Sequence, residues 1–178
     1  GNRRPRPRKR NVAQTLTRPG LHAQGSSPTR SERAILELTR VAGDQVQTLD
    51  DVNKAVYGLL RYGVKVREDA GEHNQTVWLI DLEHPEANDF AIAEEVTLRG
   101  NRERRPDLVL YVNGIAVGVV ELKNSRVSIG DGIRQSLSNQ QPEFNQSFFS
   151  TVQFVFAGND SEGLQHVTIG TPETFFRK

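Results

Sequence analysis

The chain is 178 residues long, 35% hydrophobic and 25% charged, which is enough to bury the core of one domain. It contains no cysteine, so disulfides, thiolate zinc sites and cysteine catalysis are excluded. A net charge of +1 conceals a basic end on an acidic body.

Residues 1–30 hold eight arginines and lysines and no acid, whereas the remainder holds 15 bases against 22 acids. Residues 1–10 (GNRRPRPRKR) lack core-forming side chains. They read as an extended arm, either solvated or in contact with a polyanion. Val12 and Leu16 stand one helical turn apart, and Pro19-Gly20 ends the short helix they predict over 11–18. Ser27-Pro28 is a second helix start, a capping hydroxyl followed by proline at the first helical position. Ile35, Leu38 and Ala42 continue it at helical spacing up to Gly43. A further helix is predicted from Asp50 or Asp51 to Tyr62. Its apolar stripe is Val52, Val56, Leu59 and Leu60, and Gly63 caps it.

From residue 64 the hydrophobic period changes from 3.6 to 2. Strands are predicted at 64–66, 76–82, 90–98, 107–112, 115–123, 152–157 and 166–169. A helix is predicted at 129–141, with Ile133 and Leu137 inward. Asn113-Gly114 between two β-rich runs is a two-residue hairpin signal. Tyr57, Tyr62 and Trp78 are expected in the core. The order predicts an α/β fold, a mixed central β-sheet flanked by helices with an N-terminal helical layer. The organisation expected is a basic arm and short helix over 1–27 and a domain over 28–178, helical to 63 and sheet-based from 64. No run approaches the roughly 18 apolar residues of a membrane span. No secretory signal is visible either; the lack of cysteine is compatible with the cytoplasm, which is the expected location. The absence of methionine points to a piece of a longer polypeptide.

Several chemistries have no motif here. There is no phosphate-binding G-x-x-x-x-G-K-[ST], no H-E-x-x-H and no G-x-S-x-G. His22, His73, His84 and His166 show no metal-ligand spacing. One constellation remains: Pro106-Asp107, thirteen residues, then Glu121-Leu122-Lys123. Glu121 and Lys123 are two apart on one strand and share a face. A strict two-residue turn pairs Val112 with Ile115, sets Asp107 opposite Val120 and leaves Glu121 on the other face. One added residue, in a longer loop or a bulge, brings Asp107 opposite Glu121. Two carboxylates then offer the hard oxygen ligands that Mg²⁺ prefers. A lysine beside them is suited to orienting water and stabilising charge on a phosphate. Arg102, Arg104 and Arg105 precede this hairpin, either as a solvated loop or as phosphate contacts.

Residues 105–125 (RPDLVLYVNGIAVGVVELKNS) resemble the nuclease motif of the PD-(D/E)-x-K superfamily. In detail they are similar to the N-terminal endonuclease domain of the restriction (R) subunit of type I restriction–modification enzymes. The likeness extends over 56–66, 76–81, 88–98, 132–144 and 153–172, and covers roughly residues 28–178, more loosely 11–27. The resemblance implies a Mg²⁺-dependent DNA endonuclease domain. Asp107 and Glu121 would be metal ligands with the Leu122 carbonyl, and Lys123 the catalytic lysine. Gln135 matches the glutamine of the family's Gln-x-x-x-Tyr motif, and Asn139 stands where the tyrosine would be. Asn139 joins Arg104 and Arg105 as an expected DNA contact. Relatives read Asn-(Ile/Val)-Glu on the first helix, where this chain has Asn11-Val12-Ala13, so that acid is missing. Glu94 or Glu95 is a candidate to face the cleft instead. The implied partners are double-stranded DNA and the modification and specificity subunits. ATP belongs to a motor elsewhere in the full-length polypeptide. The alternatives are a repair or junction nuclease on the same core, or a nuclease-like module that binds DNA or a partner without cutting.

Overall fold

Helix α1 (Pro28–Ala42) starts where the Ser27-Pro28 pair predicts it, with the Ser27 hydroxyl accepting from Arg30 N at 3.3 Å. The structure, a computed structural model, describes residues 27–67, 71, 73–98, 103–140 and 147–177. The basic arm, the helix predicted over 11–18, Ala13 and Arg102 lie outside the described residues. Helix α2 (Leu49–Tyr62) is capped by Thr48, whose hydroxyl accepts from Asp51 N at 3.2 Å.

The inward stripe of α1 is Ser31, Ala34, Leu38 and Ala42, so Ala34 is buried and Ile35 only half-buried. On α2 the buried residues are Val52, Asn53, Val56 and Leu60. The expectation for the aromatics is corrected here. Tyr57, Tyr62 and Trp78 are 49%, 67% and 51% exposed, because Tyr57 and Tyr62 fall outside the covered stripe and Trp78 follows the last buried strand residue, Val77. Asn53 ties this layer to the rest of the molecule, donating to Ser150 O at 2.9 Å and Val152 O at 2.7 Å.

Gly63 turns the chain from α2 into a two-stranded antiparallel sheet of β1 (Val64–Val66) and β2 (Gln75–Val77). Its φ of 73° suits glycine, and a Cβ there would stand 2.5 Å from Thr76 Cγ2. The strand predicted over 76–82 stops early. The Asp81 carboxylate accepts from Glu83 N at 3.0 Å and His84 N at 2.8 Å, which folds the chain into turns.

The main sheet has the order β3-β4-β5-β6-β7. Its strands are β3 (Phe90–Glu94), β4 (Leu108–Val112), β5 (Ile115–Lys123), β6 (Phe154–Asn159) and β7 (Gly163–Val167). All neighbours are antiparallel except β5 and β6. Helix α3 (Ile129–Asn139) lies in the crossover that this parallel pair requires. The strand predicted over 90–98 ends at Glu94, because Glu95 takes φ 50°. Val109, Tyr111, Val119, Val155 and Ala157 pack with Ile129 and Ile133 of α3 on one face. The other face leaves Phe90, Ile92, Leu122, Phe154 and Leu164 exposed.

Candidate active site

The β4–β5 hairpin places the three charged residues. Asn113 and Gly114 both have positive φ, 50° and 77°, and Val112 pairs with Ile115, so the turn has two residues. The ladder then shifts by one: Tyr111 pairs with Ala116 but Leu110 with Gly118. Val117 is the extra residue of a bulge. Its carbonyl accepts from Gln153 N at 2.8 Å at the entry to β6. Beyond the bulge Leu108 pairs with Val120, and the next rung sets Asp107 opposite Glu121. The turn is tight and the added residue is present. Asp107, Glu121 and Lys123 therefore share the α3 face.

Glu121 is 1% exposed. Its carboxylate accepts from Gln135 Nε2 at 2.7 Å and from Asn139 Nδ2 at 3.0 Å. Gln135 also accepts from Lys123 Nζ at 2.5 Å through Oε1. One amide thus faces the ammonium with its oxygen and the carboxylate with its nitrogen, as donor and acceptor chemistry demands. Asp107 Oδ2 accepts from Leu122 N at 2.6 Å, which fixes its carboxylate beside the backbone between Glu121 and Lys123. Burial, and then the charge of Asp107, push the Glu121 carboxyl up to about 7. The Lys123 charge and the Asn139 hydrogen bond act the other way.

Helix α3 reaches the site because it approaches the sheet closely. A Cβ on Gly132 would stand 3.4 Å from both Ala157 Cβ and Lys123 Cγ, so the lysine stem runs under the helix. The signal for this in the sequence is a glycine three residues before Gln135, inside an otherwise amphipathic helix.

The three residues expected to contact DNA differ in their surroundings. Asn139 is 3% exposed, within the hydrogen-bond shell of Glu121 rather than on an open surface. Arg104 is half-buried, with its backbone bridged to Leu98. Arg105 lies 3.6 Å from Glu95 in an exposed pair. Glu94 pairs with Leu108 and so faces away from Asp107. Among the described residues no group of three acidic or histidine side chains gathers around a common point. The oxygen-bearing side chains at the site include the carboxylates of Asp107 and Glu121 and the amide of Gln135, whose oxygen is taken by Lys123. Two hard carboxylates, one buried and raised in pKa partly by the other, fit a divalent cation that would offset their repulsion.

The family model for the type I restriction enzyme R protein N terminus matches residues 5–170. The chain belongs to that family. Among curated relatives of this R protein N-terminal chain is the type I restriction enzyme HindI endonuclease subunit of Haemophilus influenzae. It is 36% identical over 76 residues, 40% of this chain and 7% of the relative. A Methanocaldococcus jannaschii protein described as the MjaIXP endonuclease subunit of a type I restriction enzyme is 34% identical over 79 residues, 41% of this chain and 8% of its own length. A second protein of that organism, described as the MjaVIIIP endonuclease subunit, is 28% identical over 109 residues, 58% of this chain and 10% of the relative. The matches therefore span a tenth or less of these relatives. Among the described residues no helix is long and apolar enough to cross a membrane.

Proposed function

We propose that this chain is the DNA endonuclease domain of a type I restriction enzyme R subunit and hydrolyses phosphodiesters with Mg²⁺. The observation that carries the reading is the convergence of Asp107, Glu121 and Lys123 on one face, beyond a bulge at Val117. The family and the names of its relatives support it.

Asp107 and Glu121, with the Leu122 carbonyl, are the residues that would hold the ion. A divalent ion held there would supply positive charge toward the phosphate and the attacking water. The chain's own groups do the rest. Gln135 and Asn139 hold the Glu121 carboxylate in one rotamer. Gln135 also holds the Lys123 ammonium in place. From there Lys123 orients the attacking water and offsets charge that develops on the phosphate oxygens. Arg105 lies two residues before Asp107 and would meet the DNA backbone in this reading; its exposed pair with Glu95 is weak enough for a phosphate to displace.

In this reading the domain acts with the modification and specificity subunits in the cytoplasm, on double-stranded DNA. The ATP-driven motor lies elsewhere in the polypeptide. The test is paired. The assembled enzyme carrying Lys123→Ala or Asp107→Ala should lose linearisation of a target plasmid and keep its ATP hydrolysis. Normal cleavage by either variant refutes the site. Loss of both activities refutes the separation of nuclease from motor.

A further inference from the structure

After Lys123 the chain forms a short loop, residues 124–128, before α3 begins. The loop is held from within and from without. Val127 N donates to Asn124 O at 3.0 Å, and Arg126 N donates to Asn124 Oδ1 at 3.0 Å. The turn between β6 and β7 grips it from the side. Asn159 Nδ2 donates to Val127 O at 3.0 Å, Ser161 Oγ to Ser125 O at 3.3 Å, and Glu162 Oε1 accepts from Ile129 N at 2.9 Å. The turn is itself braced. Asn159 Oδ1 accepts from Glu162 N at 2.6 Å, and Asn159 Nδ2 reaches Glu162 Oε1 at 2.9 Å. Asn159 stands opposite Lys123 in the parallel β5–β6 ladder, so the brace acts at the level of the candidate site.

Arg126 is the loop's one charged side chain. It is exposed and, among the described residues, forms no ion pair. Two other arginines differ: Arg134 is bound to Asp131 at 2.5 Å and Glu173 at 2.9 Å, and Arg105 faces Glu95. A helix N-terminus often receives an anion, but here Glu162 already occupies Ile129 N. The guanidinium is therefore the anion-seeking group of this loop. Because the backbone is already ordered, a contact through Arg126 carries the cost of fixing its side chain but little further backbone cost.

We propose that Arg126 contacts a backbone phosphate of the DNA entering the site, and that Asn159 and Glu162 are positioning residues that hold the loop presenting it. The proposal rests on the nuclease reading above. Its test needs no turnover: duplex binding by the 178-residue chain in EDTA, over a range of salt. Arg126→Ala should weaken binding to unrelated sequences alike and reduce the slope of log K against log salt by about 0.9. Arg126→Lys should retain the slope. Glu162→Ala should weaken binding several-fold at unchanged helical content, and Glu162→Gln, which keeps the acceptor oxygen, should restore it. Asn159→Ser serves as the second positioning variant, with affinity lowered and all charges kept. An unaltered slope in Arg126→Ala, or no duplex binding by the unsubstituted chain, overturns the phosphate contact. Wild-type affinity in Glu162→Ala and Asn159→Ser overturns the positioning role. Failure of the nuclease reading is a separate result, seen when Lys123→Ala still cuts while Arg126→Ala still lowers the slope.

Discussion

Asn139 donates to the Glu121 carboxylate across 3.0 Å, with both residues buried. Removing the donor leaves a buried carboxylate one partner short, which costs about 1–3 kcal/mol. Asn139→Ala should therefore lower stability in urea by that amount at pH 8. The loss should shrink at pH 5, where Glu121 is protonated and its need for a donor is weaker. An equal loss at both pH values would separate Asn139 from the Glu121 charge.

Glu121 also predicts the pH dependence of the metal-free chain. Its carboxyl titrates at about 7 when folded and near 4.5 when unfolded. Between those values the folded protein binds the proton that the unfolded chain has lost. Stability from this group is thus complete below about pH 4.5 and falls as pH rises to about 7. The fall amounts to about 3 kcal/mol, each pKa unit being worth about 1.4. Asp44 and Asp81 accept backbone amide hydrogen bonds that lower their pKa, so they work in the opposite direction. The measurement is therefore the difference between the unsubstituted chain and Glu121→Gln. The variant should gain stability relative to the parent as pH rises from 5 to 8, and a constant difference would contradict the assignment.

Gly132 sets the distance between α3 and the lysine strand. Alanine there meets Ala157 Cβ and Lys123 Cγ at 3.4 Å, an ordinary contact. A gain in helix propensity of about 1 kcal/mol accompanies it. Gly132→Ala should therefore leave stability within about 1 kcal/mol of the parent. Gly132→Leu has no room and should cost about 1–3 kcal/mol, while lifting Gln135 away from Lys123 and Glu121. Chemical denaturation of both variants distinguishes them, and a tolerated leucine would show that α3 is not held at this spacing.

What the sequence made legible was mostly local. Ser27-Pro28 and Asn113-Gly114 act within a few residues, and both gave the expected start and turn. The spacing of Asp107, Glu121 and Lys123 pointed to one site, but their register depended on whether a residue was bulged out. That choice fell on Val117, which packs against the helical layer and bonds Gln153, contacts that no hairpin pattern contains. Tyr57 and Tyr62 were misplaced because periodicity marks an apolar stripe without showing how much of it is covered. The clasp of Glu162 on Ile129 joins residues 33 apart in sequence. It is invisible until β6 and β7 are laid beside the loop.

The carboxylate pair predicts how a divalent ion should affect stability. An ion held by Asp107 and Glu121 would bind only where the fold brings them together, so in the proposed reading it should stabilise the folded state by mass action. Glu121 must be ionised to take part, and its carboxyl titrates at about 7 because of burial and the charge of Asp107. Protons and metal therefore compete at the same oxygen atoms. At pH 8 Mg²⁺ should raise the thermal midpoint, and the effect should fade toward pH 5. An excess of a hundred times the dissociation constant corresponds to about 2.7 kcal/mol. Asp107→Asn and Glu121→Gln should each abolish the metal response. Lys123→Ala should keep it or enlarge it, because the ammonium is a competing charge rather than a ligand. Thermal melts at two pH values, with and without Mg²⁺, provide the comparison without relying on DNA cleavage. A stabilisation that persists at pH 5, or survives in both carboxylate variants, would place the ion elsewhere on the molecule.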